Sequence, residues 1–178
     1  ALHLVGDAAA LAPGQPTGLA RRARREAARR GIELHLPARV VAVEKDRVVL
    51  EGDEEGLACD LVVWATGAAP PPLLAASDLP RDARGFVRVE DTLAVVGAPG
   101  LFAAGDCAAL DAHPWVPRAG VYAVREGKVL DANLRARVAG GRLRRYRPQR
   151  EFLALVNLGS RRALGAKRRV AFAGAWVW

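Results

Sequence analysis

No methionine occurs anywhere in the 178 residues, and cysteine is limited to Cys59 and Cys107. The opening, ALHLVGDAAA, has neither an initiator methionine nor a basic n-region. It therefore does not read as a signal peptide, and the sequence suggests a piece of a longer protein. The two cysteines form no C-x-x-C pair, so neither a dithiol redox centre nor a thiolate metal cage is visible. Isolated thiols of this kind suit a reducing cytoplasm. The three histidines, His3, His35 and His113, share no ligand spacing, and no metal site is expected. Long apolar runs are also missing: none approaches the roughly 20 residues needed to span a bilayer.

What the chain does have is apolar residues, at 51%, against 26% charged ones, enough to bury a core rather than stay disordered. Its net charge is +8. That surplus invites a nucleic-acid reading, but the basic residues are nearly all arginine beside abundant alanine, a joint bias that GC-rich codon usage also produces. The clusters RRARREAARR (21–30) and RRYRPQR (144–150) lack the interleaved aromatics of a single-strand platform. A solvated helix face explains them better, and no nucleic-acid partner is expected.

Along the chain, Leu2–Val5 reads as a short strand followed by a loop. Pro16 and Thr17 open a helix running to about Arg30, with Thr17 able to cap it and Gly31 suited to stop it. IELHL alternates as a strand. RVVAVEKDRVVLEG predicts a hairpin turning at Lys45-Asp46. LACDLVVWATG (57–67) is a continuous apolar run read as a buried strand. This alternation is that of a nucleotide-binding α/β domain. Residues 69–84 are Pro-rich and read as a crossover linker. GFVRV, TLAVV and GLFAA then read as strands, the last delivering Gly105-Asp106. Residues 118–138 carry a helical period that places Val121, Val124, Val129, Leu130, Leu134 and Val138 on one face. Gly140-Gly141 ends that helix, and the remainder alternates strand-like runs with glycine turns.

A strand ending in Ala65-Thr66-Gly67, a linker, and a second strand ending in Gly105-Asp106 resembles the two-dinucleotide-binding-domain flavoproteins, the pyridine nucleotide–disulfide oxidoreductase superfamily. The runs PRAGVYAVREGKVLDANL and YRPQREFLALVNLG most resemble one bacterial branch. These are the type II NADH dehydrogenase-like flavoproteins found beside or fused to selenophosphate synthetase. The resemblance implies an α/β fold of partial Rossmann-like FAD- and NAD(P)-binding domains, three-layered with a mixed sheet. In it, 1–68 is the later half of the nicotinamide domain, 69–84 a linker, 85–138 the last segment of the FAD domain, and 139–178 the start of an α+β C-terminal interface domain. It departs from the family in holding no G-x-G-x-x-G; both such motifs, and any redox cysteine pair, are expected upstream.

The site follows from the same resemblance. Asp106 would accept hydrogen bonds from FAD ribityl hydroxyls, with Gly105 letting the backbone approach; the plainer reading is a turn or cap aspartate. Ala119, Gly120 and Val121 would open the helix facing the flavin pyrimidine edge, their N–H groups steadying negative charge there, against an ordinary helix start. Thr66 and Gly67 offer backbone contact with a dinucleotide or a tight strand exit. Asp7 is a ribose ligand or a solvated loop acid. Cys107 is a small packing residue or a flavin neighbour, and Trp64, Trp176 and Trp178 read as core or interface aromatics.

The implied whole is an FAD-dependent oxidoreductase taking hydride from NAD(P)H to flavin and passing electrons to a small-molecule acceptor. No side chain here is nominated as catalytic. A homodimer and an association with selenophosphate synthetase are the expected partners, membrane association is left open, and the location is cytoplasmic. The rival reading is a non-enzymatic nucleotide-binding or basic interaction module.

Overall fold

The computed structural model describes residues 1–178, with Glu54 described by its backbone alone. The chain divides into two compact units, residues 1–64 with 151–178, and residues 65–150.

In the first unit, β1 (Leu2–Val5) pairs in parallel with β2 (Ile32–His35), and α1 (Thr17–Arg29) is the crossover between them. A parallel pair needs such a connection because a tight turn cannot reverse the chain twice. Leu19 is fully buried and Ala27 nearly so, with Ala23 packed between them, so α1 buries a narrow stripe of small apolar residues. The arginines turn to the other side, where Arg30 bonds Glu26 at 2.9 Å and Arg24 bonds the Ala9 carbonyl. Thr17 makes no capping bond: Pro16 occupies the cap, and its fixed φ of −55° already sets the chain for the helix. Gly31, at φ +66°, ends it as expected.

The predicted hairpin is present as β3 (Val40–Val43) and β4 (Arg47–Leu50), and it gains a third antiparallel strand, β5 (Asp53–Ala58), that its acidic sequence concealed. The expected strand over 57–67 does not form. Residues 59–71 carry no regular structure, and Leu61, Val63 and Trp64 are 81%, 80% and 60% exposed. Among the described residues no strand lies alongside to take their backbone bonds, and an apolar run without a ladder stays open.

Beyond residue 150, β8 (Ala154–Asn157), β9 (Ala163–Lys167) and β10 (Val170–Gly174) form an antiparallel sheet in the order β10-β9-β8. Leu164 and Ala166 of this sheet join Leu19 in a core, and the sheet comes so near α1 that a Cβ on Gly18 would lie 3.2 Å from Ala171. Trp176 stacks on Phe172, yet both it and Trp178 are largely exposed, so neither tryptophan is a core residue.

The second unit is built on α2 (Pro72–Ala75), β6 (Val87–Val89), β7 (Ala108–Leu110) and α3 (Gly120–Val138). β6 and β7 run parallel, and Arg88 clamps their exit with a two-pronged bond to Asp111 at 2.7 and 3.0 Å. Val87, Val89, Leu93, Val95, Leu110 and Tyr146 form the core. Part of the expected linker is ordered as α2, which puts Leu74 into that core. The strands expected over TLAVV and GLFAA reduce to isolated bridges, Val89–Val95 and Ala94–Phe102.

α3 corrects the sequence reading most. Its buried residues are Tyr122, Glu126 and Asn133, with Val129 and Leu130 packed beside them, whereas Val124, Leu134 and Val138 are exposed. The helix turns inward a face on which two polar side chains replace the expected valines. Both satisfy backbone groups of neighbouring loops, which is why they can be buried.

Candidate functional site: a cavity at the start of the third helix

The second unit encloses a cavity of about 320 Å³ between the Gly105–Cys107 turn, the start of α3 and the loop around Asp82. Volumes of this order hold part of a cofactor or a small ligand.

Each wall has a local cause. At the end of the half-buried run Phe102–Ala104, Gly105 adopts φ +73°, a region open to glycine and strained for other residues, and a Cβ there would meet Ala123 of α3 at 3.4 Å. The turn thus lies directly on the helix. The Gly105 N–H donates to the Glu126 carboxylate at 2.6 Å, closing the turn against α3. Across the cavity, Asp82 accepts from the N–H groups of Arg84 and Phe86, at 3.0 and 2.9 Å, which curls the 82–86 loop. Its second oxygen faces Arg118 at 3.6 Å.

Arg118 is a largely buried cation of the site. Its guanidinium lies 3.3 Å from the centroid of the Phe86 ring, a stacked cation–π geometry. Burial and the neighbouring Arg84 push its pKa below the usual arginine value, partly offset by Asp82 and Asp106. Its Nε is buried and has no partner among the described residues. A buried donor without an acceptor is costly.

Glu126 is 4% exposed. Burial raises its pKa above the ordinary carboxylate value; the Gly105 N–H opposes this, and Asp106 adds to it. The lining therefore combines a buried acid with a raised pKa, a largely buried cation and backbone groups. It suits a ligand with hydroxyls or anionic oxygens rather than a purely apolar one.

The sequence-predicted residues distribute as follows. Gly105, Asp106 and Ala119 line this cavity together. Gly120 and Val121 form the first turn of α3 immediately behind Ala119, without lining the cavity. Thr66 and Gly67 lie in an exposed, irregular stretch and do not line it. Asp7 is an exposed residue of the first unit, in the loop after β1. Cys107 is half-buried, its Sγ 3.3 Å from the Ala104 carbonyl.

Asp106 is exposed, sitting at the cavity mouth, while the buried carboxylate is Glu126. An aspartate at such a rim pays no desolvation cost and keeps its lone pairs available for hydroxyl donors. Sequence reasoning missed Glu126, Arg118 and Asp82. A signal existed for Glu126: it stands four residues after Tyr122 and seven before Asn133, on one helical stripe.

Comparison with known proteins places the chain in a class. The profile of the family described as "Pyridine nucleotide-disulphide oxidoreductase" matches residues 2–127, and the chain belongs to that family. Its mixed α/β fold is that of FAD/NAD-binding oxidoreductase structures. An "NADH dehydrogenase-like protein" of Mycobacterium tuberculosis is 39% identical over 79 residues, 44% of this chain and 20% of that one. An FAD-dependent pyridine nucleotide-disulphide oxidoreductase from Desulfovibrio vulgaris superposes with a TM-score of 0.67 at 25% identity, over 93% of this chain and 42% of that one. NDH2 of Plasmodium falciparum, solved in complex with NADH, gives a TM-score of 0.76 at 12% identity, over 97% of this chain and 51% of that one. The chain spans about a fifth of the length of the curated relatives first matched.

Proposed function

We propose that the protein carrying this chain is an FAD-dependent NAD(P)H oxidoreductase that moves hydride from nicotinamide to flavin and passes the electrons to a small-molecule acceptor. The observation that carries this reading is the convergence of Asp106, Ala119 and Arg118 on one cavity. FAD supplies the hydride and electron chemistry when bound.

The residues fit such a group. The Asp106 carboxylate is an acceptor suited to ribityl hydroxyls, and Gly105 keeps the backbone low beneath it. Arg118 offers a charge-assisted donor to a phosphate or carbonyl oxygen. At the start of α3 the first N–H groups, those of Gly120 and Val121, have no carbonyl within the helix to bond, and the dipole there favours negative charge. Thr66 and Gly67 stay proposed as backbone contacts, and Asp7 as a ribose ligand. The similarity to NADH dehydrogenase-like relatives supports NADH as donor. A cytoplasmic location, a homodimer and association with selenophosphate synthetase complete the proposal. No helix among the described residues is long and apolar enough to cross a membrane.

The intact protein tests the reading. It should purify yellow, its flavin absorption should bleach anaerobically with NADH, and Asp106→Ala should lower flavin occupancy. Undiminished flavin in that variant removes Asp106 from the site. A colourless protein that NADH leaves unchanged, and that retards nucleic acid in a gel, refutes the enzyme and favours the basic module.

A further inference from the structure

The histidines share no ligand spacing in the sequence, yet the first unit brings two of them together beside a carboxylate. His3 and His35 stand 32 positions apart in sequence, but the parallel register pairs His3 with Glu33 and Val5 with His35. Side chains two apart on a strand share a face, and directly paired residues of a sheet project on the same side. The fold therefore sets two imidazoles and a carboxylate side by side on the β1–β2 ribbon.

We propose that His3, Glu33 and His35 form a binding site for a divalent transition-metal ion, with zinc as its expected occupant, fastening β1 to β2. His3 Nδ1 lies 3.1 Å from His35 Nε2 and 3.4 Å from Glu33 Oε2. One ligand atom from each residue lies within 4.8 Å of the others. Zinc–nitrogen and zinc–oxygen bonds near 2.0–2.1 Å at tetrahedral angles separate neighbouring ligand atoms by about 3.3–3.4 Å. Two of the three edges already sit near that spacing, and closing the third needs only a rotamer adjustment of Glu33. That side chain is 60% exposed and free to make it.

The alternative use of this geometry is a proton shared between the two imidazoles, their ring centroids 5.3 Å apart. A metal uses both facing lone pairs at once and the carboxylate as well, whereas a single hydrogen bond uses one proton and leaves Glu33 a bystander. Two imidazoles and one carboxylate suit zinc, nickel or copper and not magnesium, which demands oxygen ligands in an octahedron. The partial exposure of His3 and Glu33 leaves a fourth position open to water.

Titration of the intact protein with zinc chloride, in calorimetry and with excess magnesium present, should show one zinc per chain. Cobalt(II) should give the intense visible bands of a four-coordinate ion, and a chelator should reverse any thermal stabilisation by zinc. His3→Ala and His35→Ala should each weaken zinc binding at least tenfold and Glu33→Gln less, while His113→Ala leaves it unchanged. No zinc uptake by the wild-type protein overturns the proposal without appeal to any variant. Zinc uptake that survives His3→Ala and His35→Ala, or magnesium binding equally well, also overturns it and leaves adventitious binding or the imidazole pair alone. Because zinc itself is the readout, failure here is separable from failure of the flavin reading.

Discussion

Asn133 is the residue whose removal should most cleanly expose how the second unit is held together. It is fully buried at mid-helix, a position where asparagine has neither propensity nor hydrophobicity to recommend it. Its Nδ2 donates to the Thr92 carbonyl at 2.7 Å and to the Arg144 carbonyl at 2.9 Å, and its Oδ1 accepts from the Arg144 N–H at 2.7 Å. One side chain thus ties α3 to the loop after β6 and to the segment that carries the core tyrosine, Tyr146, which in turn bonds the Asp91 carbonyl.

For Asn133→Ala, three lost hydrogen bonds at about 1 kcal/mol each give roughly 3 kcal/mol. Arg144 is exposed, so water can reach part of what is freed, and the full penalty for unsatisfied groups does not apply. Opening of the unit should then be favoured about a hundredfold. Hydrogen exchange read on peptides covering 87–95 and 142–147 should accelerate by that factor, while peptides covering 163–174 in the other unit should not change. Asn133→Asp sharpens the test. It keeps the acceptor but loses both donors, and at neutral pH it sets a carboxylate against two carbonyl oxygens. It should be worse than alanine there and recover as pH falls, because the buried aspartate's pKa is raised and protonation restores one donor. A change below about 0.5 kcal/mol for Asn133→Ala, or an aspartate variant as stable as wild type at neutral pH, refutes the reasoning.

Two further outcomes follow from the geometry. Because the pKa of Glu126 is raised in the folded state, its contribution to stability is complete below the ordinary carboxylate range and is lost as pH rises through the raised value. Melting of the second unit should therefore weaken as pH rises above the ordinary carboxylate range, and Glu126→Gln should flatten that slope; an unchanged slope removes Glu126 as its source. Gly56 sits at φ +69°, and a Cβ there would lie 2.5 Å from the Val48 carbonyl oxygen. Gly56→Ala should cost at least the roughly 1–2 kcal/mol of a left-handed alanine, seen as faster exchange over 47–58, and wild-type protection there would contradict the β4–β5 register.

What could be read from the sequence, and what could not, divides along one physical line. Signals local in the chain were legible. The span of α1, its glycine stop and the Lys45-Asp46 hairpin all depend on residues a few positions apart, and the structure reproduces them. The Gly105-Asp106 turn was legible for the same reason, since a glycine needing φ +73° marks itself. What failed needed a partner from elsewhere. The apolar run 57–67 looked like a strand, but a strand is a ladder between two segments, and hydrophobicity alone does not supply the second. The span of α3 was legible, but part of its expected buried face was not. Its valines gave a plausible apolar face, yet the buried face was chosen by Gly105, Thr92 and Arg144, backbone groups whose demands outweigh a few exposed methyl groups. An unmade hydrogen bond in the interior costs about 1–3 kcal/mol, comparable to the gain from burying one valine. A helix offered both will turn its polar residues inward wherever loops present unpaired groups to them. The cavity inherits this choice: with the valine face buried, Glu126 would leave Gly105, and the turn bearing Asp106 would lose its anchor on α3.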